Sequence, residues 1–137
     1  MMQRILLAVD ASEHAKKAAS VAGELGTMSG AEVLVLHFRE REFSRAGSYD
    51  LETTGEAGDL VDAMVRELKD AGVSARGEVR LTTHGQAANG ILTVAREYHA
   101  DMIVMGSRGL GDLSALLVGS VAHKVIHLAE CPVLITR

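Results

Sequence analysis

Residues 100–121 read Ala100-Asp-Met-Ile-Val-Met-Gly-Ser-Arg-Gly-Leu-Gly-Asp-Leu-Ser-Ala-Leu-Leu-Val-Gly-Ser-Val121. Met102 to Met105 is a short unbroken apolar run, the pattern of a strand buried on both faces. It stops abruptly at Gly106. Gly106 and Gly109 stand three apart, and Gly119-Ser120 come ten residues later, opening an amphipathic segment. A strand ending in glycine, a loop carrying an arginine and a Gly-Ser helix start together make a phosphate cradle. Glycines let backbone N–H groups approach an anion with no Cβ in the way. The helix start adds unpaired N–H donors and the positive end of the helix dipole.

Outward from this stretch, short apolar runs alternate with helical periodicity. Arg4 to Val9 reads as a buried strand, and Ser12 as the N-cap of a helix whose face carries Ala15, Ala18, Ala19, Ala22 and Leu25. Gly30 stops that helix, and Glu32 to Phe38 is a second strand. Residues 39–58 are polar with no clear period, and are expected to form a mobile segment. Leu60, Val61, Met64, Val65 and Leu68 mark a helix that Gly72 ends, and Arg76 to Leu81 a third strand. Ile91, Val94, Ala95 and Tyr98 mark a third helix. Val121, Val125, Ile126 and Ala129 mark a fourth, and Pro132 to Thr136 a fifth strand.

This rhythm predicts an α/β, Rossmann-like open parallel five-stranded sheet with helices on both faces. Two strand orders are common for such sheets, 3-2-1-4-5 and 2-1-3-4-5. Only the first makes strands one and four neighbours, so that Asp10 and the Gly106 loop face one crevice. Order 3-2-1-4-5 is therefore the expectation.

The 137 residues are expected to form a single domain, 1–137. With 47% hydrophobic and 23% charged residues the composition is that of an ordinary globular protein, and no apolar run reaches membrane-spanning length. The N-terminal apolar stretch is too short for a signal peptide, and the single Cys131 cannot make an internal disulfide. Both observations point to the cytoplasm. A net charge of −4 and an absence of Trp argue against a nucleic-acid surface.

The cradle is not a Walker A loop, because no lysine lies between Gly106 and Gly119. It is not a dinucleotide fingerprint either, since Asp10-Ala-Ser-Glu follows the first strand. Gly106-x2-Gly109-x9-Gly119-Ser120 instead resembles the ATP-binding signature of the universal stress protein family. The opening Ile5 to Ser12, the Val35-Leu-His37 strand, Asp101 to Gly106 and Cys131-Pro-Val-Leu-Ile135 are similar to that family too. The resemblance covers the whole chain except residues 39–58. It implies that Ala8, Val9, Asp10 and Phe38 line the adenine and ribose side. Met105, Gly106, Arg108 and Gly109 would form the floor and first phosphate contacts, and Gly119, Ser120 and Val121 would hold the distal phosphates. Phe38 departs from a more usual aliphatic residue and would narrow the base pocket or stack weakly on the purine.

The histidines suggest no metal site. His123 and His127 lie four apart but lack the glutamate of HExxH and a third ligand, so they read as surface residues. His37 reads as a hydrogen-bonded core residue, and Ser120 as an N-cap whose hydroxyl is compatible with a phosphate contact. No catalytic residue stands out.

The resemblance implies an ATP-binding regulatory or protective module of the stress response, with slow or no hydrolysis. ATP, or else ADP, AMP or cyclic AMP, would be the ligand, accompanied by Mg²⁺. The alternative is a nucleotide-hydrolysing or nucleotidyl-transferring enzyme of the same architecture. Such enzymes usually carry glycines and a serine, or His-x-Gly-His, after strand one, and Asp10-Ala-Ser-Glu-His14 has neither. A receiver domain would need an acidic pair there and an aspartate ending strand three, where Thr82-Thr83-His84 stands. Strand 132–136 is expected at a sheet edge, and an apolar edge needs cover. A two-fold homodimer through it supplies that cover, beside the nucleotide and an unidentified protein partner.

Overall fold

A computed structural model describes residues 1–50, 52–107 and 118–137. Its centre is β1 (Arg4–Ala8), in which Ile5, Leu6 and Leu7 are wholly inaccessible to solvent. A strand this apolar has both faces covered, and successive side chains go to opposite sides. Ile5 and Leu7 join one core with α1 (Glu13–Ser29) and α2 (Thr54–Asp70). Leu6 and Ala8 join another with α3 (Ala87–Tyr98) and α4 (Ser120–Leu128).

The remaining strands are β2 (Glu32–Ser44), β3 (Gly47–Asp50), β4 (Ala75–Thr83), β5 (Met102–Gly106) and β6 (Val133–Thr136). Five of the six strands are parallel, in the order β4-β2-β1-β5-β6. This is the expected 3-2-1-4-5. Asp101 ties the first residues of β1 to the start of β5, its carboxylate accepting the N–H groups of Gln3 and Arg4 at 2.8 and 2.9 Å. Those two bonds hold its carboxyl below the usual range. No helix among the described residues is long and apolar enough to cross a membrane.

The structure corrects two expectations. The sheet has a sixth strand, β3, antiparallel to β2, and residues 39–58 are not an irregular segment. Residues 39–44 continue β2, and a turn with Gly47 at φ +124 leads into β3. The sequence hides this hairpin because charge pairing replaces apolar burial as its glue. Arg39 and Arg41 donate to the Asp50 carboxylate at 2.6 and 2.7 Å, and Tyr49 donates to Glu42 at 3.2 Å. Helix α2 also begins earlier than its apolar face suggests. Thr53 accepts the Glu56 N–H at 3.0 Å while Glu56 reaches back to Thr53, a capping box.

Helix α2 lies almost directly on β4. A Cβ built on Gly77 would stand 2.2 Å from Val61 Cγ1 and 3.1 Å from Val65 Cγ2. Gly77→Ala is therefore expected to lower stability by about 1–3 kcal/mol through overpacking. In urea unfolding the midpoint should fall with an unchanged slope, and Val61→Ala in the same chain should restore part of the loss. Thr53→Ala should cost about 1 kcal/mol by removing the cap, measured in the same way.

Candidate functional site

Helix α1 follows β1 onto one face of the sheet, and α4 follows β5 onto the other. The two connections part over the carboxyl ends of neighbouring strands, and a cleft of about 550 Å³ opens between them. Ala8, Val9, Asp10, Phe38, Met105, Gly106, Gly119, Ser120 and Val121 all line it. Nine of the eleven expected site residues thus converge. Arg108 and Gly109 lie outside the described residues.

One wall of the cleft is built of donors. The Ser107 N–H bonds Thr136 O at 2.7 Å, and the Gly119 N–H bonds Ser107 O at 2.6 Å, so the start of α4 is tied to the end of β5. Gly119, not Ser120, is the N-cap, and Ser120 is the first helical residue. No side chain caps this helix among the described residues. The first N–H groups of a helix have no partner within it, and Ser120, Val121 and Ala122, which carry them, line the cleft. Gly106 has a packing role as well. A Cβ there would meet His14 Cβ at 2.6 Å and the His14 backbone at 3.0 Å, so β5 ends against the first turn of α1.

The opposite wall is rich in carboxylates. Asp10 Oδ1 accepts the Ser12 N–H at 2.8 Å, and Ser12 in turn caps α1. Glu40 and His84 form an ion pair at 2.8 Å. Glu52 meets Nε2 of His37, whose Nδ1 lies 2.8 Å from Val9 O. His37 is thus the buried, hydrogen-bonded residue its sequence position suggests. Glu40, Glu52 and His84 were not singled out in the sequence. Their place here depends on the hairpin and on β4, which no local motif announces.

Phe38 is packed against the sheet's covering helix as well as lining the cleft. Its ring rests on α3, where a Cβ on Gly90 would stand 2.4 Å from Phe38 Cζ. The ring is seated in that notch and forms a fixed side of the cleft. His123 and His127 are exposed, and their rings meet edge to face at 4.4 Å. Among the described residues no three metal-ligating side chains of His, Cys, Asp or Glu cluster.

A second hollow of about 500 Å³ lies at the amino ends of the strands, lined by Arg4, Glu32, Arg76, Glu78, Arg80 and Tyr98 among others. Most of its charges pair with one another: Arg76 with Glu32 and Glu78, and Arg80 with Glu78 and Glu97. Burial, aided by the Glu32 carboxylate, pushes the Tyr98 phenol well above its usual range. Sheets of this class bind at the other end.

The universal stress protein family model matches residues 1–137. A universal stress protein of Thermus aquaticus is 39% identical over 137 residues, covering all of both chains. A solved protein of Methanocaldococcus jannaschii superposes with a TM-score of 0.82 at 25% identity, covering 99% of this chain and 96% of that one. Two further solved universal stress proteins carry adenine nucleotides. One, from Archaeoglobus fulgidus, is in complex with dAMP (TM-score 0.75, 24% identity, 100% and 98% covered), and another is in complex with cAMP (0.74, 22%, 99% and 97%). At these identities the last two share the fold.

The Glu40 carboxylate holds the His84 imidazole above its ordinary pKa. A histidine whose folded pKa is raised contributes stability below the unfolded value of about 6.5. That contribution disappears as pH rises through the folded value. In an NMR titration His84 should titrate above the ordinary histidine range, and Glu40→Gln should return it there.

Proposed function

This chain belongs to the universal stress protein family, and we propose that it is a nucleotide-holding member whose cleft takes ATP. ADP, AMP or cyclic AMP would be weaker or competing ligands. The observation that carries this reading is the polarity of the cleft. The start of α4, which no side chain caps among the described residues, and the Gly106 end of β5 form a donor wall suited to phosphates. The carboxylates of Asp10 and Glu40 on the opposite side suit ribose hydroxyls and an amino group, which are donors. The dAMP and cAMP complexes of two fold neighbours support an adenine nucleotide as the ligand class.

In this reading Ala8, Val9, Asp10 and Phe38 border the base and sugar. Met105, Gly106, Arg108 and Gly109 meet the first phosphates, and Gly119, Ser120 and Val121 the distal ones. Mg²⁺ fits only as a companion of the nucleotide. Ser120 Oγ and the phosphates would hold it, with water completing its octahedron, and it would neutralise phosphate charge. Retention rather than turnover is supported by the engagement of each described carboxylate at the cleft. Asp10 accepts from Ser12, Glu40 pairs with His84 and Glu52 meets His37. None is left idle to activate water. We read residues 1–137 as one domain acting in the cytoplasm, where the bound nucleotide state is presented to a protein partner during stress.

The outer edge of β6 supports a homodimer. Val133, Leu134 and Ile135 are half-buried, and β6 pairs only with β5 among the described residues. An apolar edge of this kind is covered by the same strand of a second copy.

Gly119 has an ordinary φ of −62° and ψ of 161°, so a branched residue fits its backbone while obstructing the helix mouth. Gly119→Val should weaken ATP binding at least about tenfold, about 1.4 kcal/mol, in calorimetric titration of the folded variant. Undiminished affinity would sink the phosphate assignment. Multiple-turnover phosphate release would instead favour the enzymatic alternative. Glutamate at both Val133 and Ile135 should give monomers in sedimentation.

A further inference from the structure

Strand β2 outruns its neighbour. β1 ends at Ala8, opposite Leu36, whereas β2 continues to Ser44. Arg41 is paired with Thr83 of β4 on one edge and Asp50 of β3 on the other. β3 therefore occupies the lane that β1 vacates, and it runs back toward the carboxyl end of β1. Between Val9, whose N–H still bonds Leu36 O at 2.9 Å, and Asp50 the lane holds no strand among the described residues. The cleft opens at this gap, and His37 spans it. Nδ1 reaches Val9 O at the end of β1, and Nε2 reaches Glu52, two residues beyond the end of β3.

We propose that His37 and Glu52 are positioning residues, a hydrogen-bonded bridge that holds the β2–β3 hairpin across the end of β1 as the outer wall of the cleft. A backbone carbonyl only accepts, and so does a carboxylate. A ring that satisfies both partners donates from both nitrogens, and one more proton than the neutral imidazole carries is then held between Nε2 and Glu52. His37 is only 6% exposed, so its charge needs the carboxylate beside it. Loss of the Glu52 side chain leaves Nε2 without its partner, and the hairpin loses its tie to β1.

The other charged groups around the ring are already engaged. Arg39 lies on the same face of β2 and pairs with Asp50, Asp10 follows Val9 on β1, and Glu40 pairs with His84 at the mouth. Arg39 and Arg41 fasten β3 to β2, but neither contact reaches β1. Of the contacts described, the His37–Glu52 bridge alone joins the hairpin side of the gap to β1 through side chains. The effect on ligand affinity rests on the nucleotide reading above. The bridge itself does not.

Two readouts separate them. Hydrogen exchange of the amides at 47–50 and 53, expressed as protection factors, reports the hairpin with no ligand present. Protection should be at least about tenfold lower in Glu52→Ala than in the wild type. Glu52→Gln, whose amide can still pair with Nε2 of the ring, should keep most of the protection. Cyclic AMP is the affinity probe. Glu52→Ala should weaken its binding roughly threefold to tenfold while the melting temperature stays near that of the wild type. Equal hairpin protection in Glu52→Ala and wild type, or protection in Glu52→Gln no better than in Glu52→Ala, would overturn the bridge. If protection falls as described but neither protein binds cyclic AMP or ATP, the bridge stands and the nucleotide reading fails.

Discussion

The pairing of β1 with β5 is the constraint on which the rest depends. Each strand is buried on both faces, so each must hand its chain to a covering helix. α1 takes the face shared with α2, and α4 the face shared with α3. Two adjacent parallel strands whose connections leave in opposite directions cannot close the space over their ends. The cleft is therefore a consequence of topology before any side chain shapes it. The Asp101 carboxylate at the other end, accepting from Gln3 and Arg4, helps to hold the two strands in register.

Close approach then refines that opening. Helix α1 seats its first turn against Gly106, and the ring of Phe38 occupies the notch at Gly90. A donor wall at the end of β5 faces a carboxylate wall at the end of β2. The separation has a structural origin. The start of α4 has no side-chain cap among the described residues, whereas the carboxylates are held by Ser12, His84 and His37. A ligand with an anionic end and a donor-rich end matches such a cleft.

The parallel strands were legible because burial on both faces leaves an unbroken apolar run, as in Ile5 to Leu7 and Met102 to Met105. The strand order followed from requiring Asp10 and Gly106 to share a crevice. The hairpin was not legible. Arg39-Glu40-Arg41-Glu42 has no apolar period, and its strand character comes from partners nine and eleven residues away, where Asp50 accepts from Arg41 and Arg39. The start of α2 could have been found from Thr53 and Glu56, since a threonine followed three residues later by glutamate is a capping signal. Reading the helix from its apolar face alone placed that start too late.

The sequence by itself determined the layered α/β plan, the glycine-lined end of β5 and the positions of Asp10 and Ser120, because each is written in local pattern and spacing. Only the tertiary structure decided that Gly119 rather than Ser120 caps α4, and that Phe38 packs on α3. It alone brought Glu40, Glu52, His37 and His84 to the same opening. Those facts depend on where β2 ends relative to β1 and on which strand fills the vacated lane. Both are set by contacts between residues far apart in the chain, and local periodicity carries no record of them.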